Sequence, residues 1–340
     1  MITILKPKRD EDKNVMRLFF VLIGVFILMS ALRPGLFLRG GNFISMATQF
    51  PEYGIMAIGV SLAMISGGID LAVVGTANLS AIFAAKYLVA IVPRDAPAGA
   101  AVFPIITAVL LALAVGLAAG AFNGFLIAKL RIPAILATLG TQQLFTGFAI
   151  VLTEGRPISR MPLLYSRIGN TELFGFLPAP FILYVLAAIA TGILLGKTSF
   201  GLRLYLAGTN PRAALYAGIE SKVILLKTYM ISGLLSSAAG LIMMARANSA
   251  KADYGAAYTL QCVLIAVLGG VDPNGGSGTI RGVTLAVLIL QFLSSGLNMF
   301  DHISNFYRDV IWGGVLILAL IFNWIIARRN EKHIPKLAAA

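Results

Sequence analysis

The chain has 340 residues, of which 58% are hydrophobic and only 12% are charged, and its mean hydropathy is +0.88. Soluble chains carry about 25% charged residues, and a chain this apolar would lack the polar surface needed to stay in solution. These values exclude a soluble enzyme and indicate an integral membrane protein. The net charge is +13. The charged residues lie between apolar segments rather than on one face, which favours the excess of basic residues in cytoplasmic loops of membrane proteins over nucleic-acid binding.

Ten apolar runs follow one another along the chain. A helix that crosses the hydrocarbon layer needs about 20 mostly apolar residues. The runs lie near 17–33, 44–65, 71–92, 101–123, 132–153, 178–196, 222–245, 257–270, 282–299 and 309–327. Asp70, Asn78 and Lys86 interrupt the third run and the eighth is short, so either of these two is expected to be broken or re-entrant. The sequence therefore predicts an all-α membrane protein with about ten transmembrane helices.

The basic residues give these helices an orientation. With the N-terminus in the cytoplasm, seventeen Lys and Arg fall in inner segments and nine in outer segments, while Lys86 lies within a span. This excess favours cytoplasmic N- and C-termini. The expected organisation is a cytoplasmic segment at 1–16, a transmembrane permease domain at 17–327 and a cytoplasmic tail at 328–340. The first run lacks an obvious cleavage site, so we expect it to remain as an anchor.

The fourth run repeats glycine every four residues, at Gly116, Gly120 and Gly124. Small residues at this spacing share one helix face and let the backbones of two membrane helices approach closely. We therefore expect this face to pack against a neighbouring helix.

Polar residues at membrane depth form stripes on three predicted helices. Each stripe could line a hydrophilic path, or could only bond neighbouring helices together. The candidate path residues, including Asn78 in the third run, are Gln49, Glu52, Asn78, Thr138, Gln142, Thr146, Gln291, Ser295 and Asn298. Glu52 follows Pro51 near the predicted outer end, where it could be solvated or buried.

No arrangement of residues favours catalysis over transport. The two histidines lie in a predicted outer loop and in the tail, and the single cysteine excludes a disulfide within the chain. Gly196-Lys197-Thr198 lacks the first glycine of a nucleotide-binding loop, because Thr191 stands in its place. We therefore expect no catalytic residue, no metal site and no cofactor on this chain.

Three segments resemble one known family when they are taken together and in order. They are GGIDLAVVGTANLSA at 67–81, TSFGLRLYLAGTNPRAALYAGI at 198–219 and GGVDPNGGSGTIRG at 269–282, with RIPAILATLG at 131–140 between the first two. This pattern is similar to that of the sugar-type permease subunits of bacterial ATP-binding cassette importers, which include ribose and autoinducer-2 permeases. The resemblance covers roughly residues 42–320. Ala72 and Val74 replace the serine and glycine that are usual in the first segment.

The second segment resembles the coupling loop, here 196–222, through which such permeases contact their ATPase. The matching positions are Gly208, Asn210, Pro211, Arg212, Ala213, Ala214 and Gly218. Arg212 stands where other importer loops have glutamate. Independently, Asn210 is a good N-cap, Pro211 suits the first helical position and Gly218 can end a helix. The residues therefore predict one short cytoplasmic helix.

The other two segments share a Gly-Gly-apolar-Asp pattern. For Gly67, Gly68, Asp70, Gly269, Gly270, Asp272, Gly275 and Gly276 we expect a structural role, such as capping helices or holding loops, rather than contact with a solute. The pattern hints weakly at internal repetition.

The resemblance implies a permease subunit in the bacterial inner membrane that forms the path for a monosaccharide or a sugar-like small solute. It also implies partners: a second permease copy or paralogue, cytoplasmic ATPase subunits that bind ATP and Mg²⁺, and an extracytoplasmic solute-binding protein. The loop at 154–176 is a candidate dock for that binding protein. The alternative is a secondary transporter driven by an ion gradient, although Glu52, Asp70 and Lys86 do not obviously form a proton relay. A membrane enzyme is disfavoured.

Overall fold

The structure is a computed structural model that describes residues 5–173, 175, 177–300, 310, 313, 314, 317 and 321, with side chains from residue 12 onward. Thirteen helices occur in these ranges: α1 Leu5–Leu32, α2 Pro34–Phe37, α3 Gly40–Ile65, α4 Val73–Ile91, α5 Ala98–Ala128, α6 Ala134–Thr153, α7 Leu163–Asn170, α8 Ala179–Lys197, α9 Ser199–Thr209, α10 Pro211–Tyr216, α11 Ser221–Ala247, α12 Tyr258–Leu268 and α13 Ile280–Leu297. The short strands β1 Ile158–Ser159 and β4 Ser249–Ala250 pair with each other, as do β2 Glu172–Leu173 and β3 Leu177–Pro178.

Seven helices of the described residues are long and apolar enough to cross a membrane: α1, α4, α5, α6, α8, α11 and α13. They correspond to seven of the ten predicted runs. The second run is α3, whose 26 residues are long enough to span a bilayer but include no stretch as apolar as those of the seven. The tenth run, 309–327, is helical at five described positions and otherwise lies outside the described residues, as does the tail at 328–340.

The two doubtful runs behave differently in the structure. The third run is the uninterrupted helix α4, which begins at Val73 after a non-helical segment that contains Asp70. The eighth run is α12, which has only 11 residues and covers about 16 Å at 1.5 Å per residue. It is therefore too short to cross the hydrocarbon layer alone. Below, we call the end of the molecule predicted to be cytoplasmic the inner end, and the opposite end the outer end.

Helix α3 lies at the centre of the molecule. Every residue from Phe50 to Ile65 is buried, and α3 packs against α8, α11, α12 and α13. Pro51 lies within this helix and offers no backbone N–H to the preceding turn. Exposed apolar side chains lie instead on α1, α5, α6 and α8, as expected of helices that face lipid.

The predicted glycine face of the fourth run packs as expected. Helix α5 lies along α11, and a Cβ atom added at Gly116 would lie 2.5 Å from the Gly233 carbonyl oxygen. A Cβ atom at Gly124 would lie 2.9 Å from the Cα atom of Leu226. The two backbones therefore approach so closely that only glycine fits on this face.

Candidate functional site

The three segments that carry the family resemblance meet at the inner end of the molecule. The Gly276 N–H donates to the Ile65 carbonyl oxygen over 2.9 Å, and the Tyr205 hydroxyl donates to the Gly278 carbonyl oxygen over 2.6 Å. We call the contact of residues 65–68, 208–209 and 275–276 the glycine junction. It joins the end of α3, the end of α9 and the loop between α12 and α13, which are far apart in the sequence.

Glycine is needed in this junction because backbone meets backbone. A Cβ atom added at Gly208 would clash with the Ile65 carbonyl group and would lie 2.7 Å from the Gly276 nitrogen. A Cβ atom at Gly275 would lie 2.8 Å from the Cα atom of Gly67. Gly67, Gly275 and Gly276 also have φ angles of +87°, +94° and +79°, which other L-residues rarely adopt. These positions therefore tolerate no side chain.

The short helix predicted after Asn210 is present as α10. The Asn210 side-chain oxygen accepts from the Arg212 and Ala213 N–H groups over 3.1 and 3.0 Å, and Pro211 is the first helical residue. At the other end, the Gly218 N–H donates to the Leu215 carbonyl and the Ile219 N–H to the Ala214 carbonyl, while Gly218 has a φ angle of +72°. Both ends are thus closed by hydrogen bonds, the second by a Schellman motif.

Helix α10 exposes two large apolar or aromatic side chains on the face that points away from the rest of the chain. Ala214 is buried against the rest of the chain, whereas Leu215 and Tyr216 are 69% and 93% exposed. Arg212 and Ala213 are exposed too. Two large side chains that project from a rigid helix can fill a groove on a partner protein.

The first Gly-Gly-apolar-Asp segment makes its described contacts within the protein. Asp70 is buried, accepts from the Ser232 hydroxyl over 2.7 Å and from the Ala72 N–H over 3.0 Å, and so links the start of α4 to α11. A Cβ atom at Gly68 would lie 2.6 Å from the Tyr229 hydroxyl oxygen. The Asp70 carboxylate therefore makes contacts within the protein.

The second Gly-Gly-apolar-Asp segment is more exposed. The Asp272 carboxylate accepts from the Asn274 N–H over 2.8 Å and shapes the loop that ends at the junction. Gly269 packs on Val283, and Gly270, with a φ angle of +84°, lies beside Asn14 of α1. This loop is thereby fixed to both α13 and α1.

Most of the polar stripes form bonds between helices. Thr138 donates to the Ile69 carbonyl over 3.0 Å, and the Gln142 side-chain oxygen accepts from the Gly75 N–H over 2.7 Å, so this stripe of α6 faces α4. Gln291 accepts from the Tyr53 hydroxyl over 2.5 Å, and Ser295 donates to Asn42 over 2.7 Å, so this stripe of α13 faces α3.

The remaining path candidates lie apart from one another. Gln49 is exposed and donates to Ser45 on its own helix over 2.8 Å, and Asn298, just after α13, is also exposed. Thr146 is half-buried on α6. Asn78 is buried and donates to the Ala252 and Tyr254 carbonyl oxygens over 3.0 and 2.8 Å. The described residues thus do not gather the nine candidates into one cluster.

Glu52 forms a buried ion pair in the outer half of the molecule. It is 1% exposed and accepts two hydrogen bonds from Arg246, over 2.5 Å from Nε and 2.9 Å from Nη2. The Tyr258 hydroxyl lies 3.4 Å from the same carboxylate. Of the two expectations for Glu52, the structure selects the buried one, since a charge at this depth needs a partner of opposite sign.

The partners of these groups are not indicated by the local sequence. Arg246 is one of the nine basic residues in the predicted outer segments, and nothing near Glu52 indicates a partner 194 positions away. One signal was present, because a lone carboxylate in one apolar run requires a cation near the end of another. Ser232 and Tyr229, which lie beside the Gly-Gly-Ile-Asp segment, gave no such signal.

Comparison with known proteins identifies relatives over almost the whole chain. A family model described as branched-chain amino acid transport system, permease component, matches residues 42–320. The chain is similar to the ribose import permease protein RbsC of Bacillus subtilis, with 35% identity over 323 residues, 94% of this chain and 96% of that protein. It is 33% identical to RbsC of Escherichia coli K12 over 92% of each chain, and 31% identical to the autoinducer 2 import system permease protein LsrD of E. coli K12 over 84% of each chain. No solved structure matches it significantly.

Proposed function

This chain belongs to the family of permease components described for the branched-chain amino acid transport system, and from that premise we propose that it forms the translocation path of an ATP-driven sugar importer. It is a multi-pass protein of the inner membrane. Its solute is a monosaccharide or a sugar-like small molecule, as the names of the ribose and autoinducer-2 permeases suggest. The chain is a transport subunit, and ATP with Mg²⁺ binds to a separate partner.

The observation that carries this proposal is the exposed face of α10. Leu215 and Tyr216 project from a helix whose two ends are capped and whose preceding helix, α9, ends in the glycine junction. An ATPase subunit that binds this face in a groove can push on a rigid element that is fixed to α3 and to the loop before α13. ATP-driven motion would then reach the centre of the molecule through backbone contacts.

The complete transporter in this proposal has further partners and a defined topology. A second permease copy or a paralogue completes the path, and an extracytoplasmic binding protein docks on the outer loop at 154–176. The ten-helix topology with both termini in the cytoplasm belongs to the same proposal. It is supported by the glycine junction, because the predicted topology assigns its three segments to one side of the membrane.

Purification of the chain from its native membrane tests this function. We expect an ATPase subunit to co-purify, and we expect the double substitution of Leu215→Ala with Tyr216→Ala to remove it. Phe103→Ala, at a side chain that is 75% exposed near the predicted outer end of α5, is the matched control and should retain the ATPase. If the wild-type chain transports its solute alone, and if transport resists ATP depletion but stops when the ion gradient collapses, it is a secondary transporter.

A further inference from the structure

Helix α6 carries a glutamine, Gln143, near the middle of its length. The helix runs from Ala134 to Thr153, so Gln143 lies nine residues, about 14 Å, from its start and ten residues, about 15 Å, from its end. The whole helix is about 30 Å long, close to the thickness of the hydrocarbon layer. Arg131 precedes it and Glu154 follows it directly, and these two charges fix its position because a charged side chain is costly in hydrocarbon. Gln143 therefore lies near the middle of the membrane.

The Gln143 side chain points away from the rest of the chain. Its neighbour Gln142 faces α4 and accepts from the Gly75 N–H, but the next residue is turned by about 100° around the helix, and Gln143 is exposed. Among the residues that the structure describes, no group forms a hydrogen bond with its amide. Thr107, a half-buried residue of α5, differs because its hydroxyl donates to the Phe103 carbonyl of its own helix over 3.0 Å. The Gln143 amide has no such bond.

Two glycines lie beside Gln143 on the same exposed side of α6. Gly140 precedes it by three residues and Gly147 follows it by four, a spacing that makes them neighbours on the helix surface. A Cβ atom added at either glycine would meet nothing within 4 Å, whereas one at Gly116 or Gly124 of α5 would meet the α11 backbone. Glycine destabilises a helix interior relative to alanine. Packing within the described part of the chain therefore gives no reason for the two glycines of α6.

We call this exposed stripe of α6 the Gln143 face. Its members share one side of the helix and are all exposed: Leu136, Leu139, Gly140, Gln143, Gly147 and Ile150. A surface that only contacts lipid needs neither an amide nor glycines, and an amide without a partner is costly there. Glutamine side chains and small residues are instead the features by which membrane helices bind one another. The Gln143 face therefore indicates a protein partner.

We propose that the Gln143 face binds the same face of a second copy of this chain, across a two-fold axis normal to the membrane. This inference rests on the proposed function, in which a second permease completes the transporter, and it names the surface of contact. A side-chain amide is both a donor and an acceptor, so the Gln143 residues of two copies can bond each other reciprocally. The glycines on either side let the two backbones approach until these amides meet.

The charges of α6 agree with a symmetric contact. A two-fold interface brings each residue of the contact near its own copy, so a charge in it would face a like charge. No charged residue occurs between Arg131 and Glu154. Two helices that cross at Gln143 diverge on both sides, so these end charges are far from their copies. The exposed face of α4 differs, because Lys86 lies on it five residues before the end of the helix.

Disulfide cross-linking of the complete transporter tests the contact. The background is Cys262→Ala, which removes the single, buried cysteine. Gln143→Cys is added, two differently tagged copies are expressed together, and membranes are oxidised with copper phenanthroline, without nucleotide and after trapping with ATP and vanadate. We expect a permease dimer that carries both tags in at least one state, since a disulfide needs Cα atoms within about 7 Å. Ile189→Cys, near the middle of α8 and 54% exposed, is the control and should not form one.

Larger side chains at the two glycines test whether close approach is needed. Gly140→Leu and Gly147→Leu, each combined with Gln143→Cys, should lower the yield of dimer about tenfold, because leucine at the contact moves the helix axes apart. Gly192→Leu on α8 is the matched control, since a Cβ atom there also meets nothing within 4 Å, and it should leave the yield unchanged.

The amide itself is tested without cross-linking. Purified full-length chains labelled with a donor or an acceptor dye are diluted together in lipid vesicles, and energy transfer reports the dimer. Gln143→Leu should raise the dissociation constant about tenfold, because two hydrogen bonds between membrane helices are lost. Thr107→Val removes a hydroxyl that bonds its own helix and should change nothing.

Several results would overturn the proposal. Absence of the dimer in both states would exclude the contact, and a disulfide to a different protein would assign the face to that protein. A yield that Gly140→Leu and Gly147→Leu leave unchanged would mean that the copies only collide. Fast reaction of Gln143→Cys with a water-soluble thiosulfonate, without dimer, would mean that the face lines water. The proposed function is judged separately, by whether the Cys262→Ala transporter takes up sugar in an ATP-dependent manner.

Discussion

The glycine junction at the inner end and the connection between α11 and α12, residues 248–257, which we call the outer turn, are held in place by different kinds of contact. At the junction, backbone groups of three distant segments touch directly, and a side chain at Gly208 or Gly275 would clash. At the outer turn and the adjoining end of α11, side chains make the contacts: Asn78 donates to two carbonyl groups of the turn, and Arg246 of α11 donates to Glu52. Backbone groups that pack against each other with no space between them are rigid, whereas polar side chains can exchange their partners with water or a solute. The inner contacts are therefore expected to be the more rigid of the two.

The sharpest test of this contrast is a side chain placed in the junction. Gly208→Ala should lower the free energy of unfolding by about 3 kcal/mol, because the new Cβ atom meets the fixed backbone of Ile65 and Gly276. Thermal unfolding of the purified permease measures this effect. Gly192→Ala on α8 is the control, since a Cβ atom there meets nothing within 4 Å. Equal melting temperatures for the two variants would mean that the junction is loosely packed.

Removal of one charge from the buried pair should have the next largest effect. Glu52→Gln should cost about 2 kcal/mol, because it leaves Arg246 without its anion; the value is below that of a fully buried pair since water reaches part of the arginine. The double variant with Arg246→Gln should recover part of the loss, and a double-mutant cycle on melting temperatures measures the coupling. Additive effects of the two substitutions would show that the pair contributes no coupling energy.

Asp70 should behave as a structural residue rather than as a contact for the solute. Asp70→Asn retains an acceptor for the Ala72 N–H but weakens the bond from Ser232, so we expect a loss of about 1 kcal/mol and an unchanged KM for uptake. Ser232→Ala should give a similar loss, as it removes the other partner of the same bond. A raised KM with unchanged stability would instead assign Asp70 to the path.

The smallest effect on the whole molecule is expected at the cap of α10. Asn210→Ala removes the acceptor for two N–H groups and should destabilise this helix locally by about 1 kcal/mol, with little change in melting temperature. Hydrogen exchange of the amides at 212–217 measures it, and ATPase activity coupled to the solute should fall. Asn210→Asp keeps the acceptor and serves as the control. Unchanged exchange in Asn210→Ala would show that the cap is dispensable.

Local patterns in the sequence predicted the parts of the fold that depend on neighbouring residues. The cap at Asn210, the start at Pro211 and the end at Gly218 act within one short segment, and α10 has these bounds. The glycines of the fourth run predicted close packing without naming its partner, α11. Seven of the ten apolar runs correspond to helices that are long and apolar enough to cross a membrane, because length and hydropathy decide which segments can do so.

Contacts between distant segments could not be predicted in this way. The spacing of Thr138 and Gln142 placed them on one face of a helix, yet only the fold shows that this face meets the start of α4. The same holds for Glu52 with Arg246 and for Asn78 with the outer turn. A polar group in an apolar run indicates that a partner is needed, because an unpaired polar group is costly in the membrane. The sequence does not show which of many groups is that partner.

Pro51 gives the central helix a property that its neighbours lack. Since proline has no N–H, the hydrogen bond that would join it to residue 47 is missing, and a bend of α3 at this point breaks no bond of the ladder. The next residue is Glu52, so the bend point and the ion pair lie at one level. Helix α3 therefore consists of a fully buried inner arm, which contacts the glycine junction at Ile65, and an outer arm, and the two arms join where the helix lacks one backbone hydrogen bond.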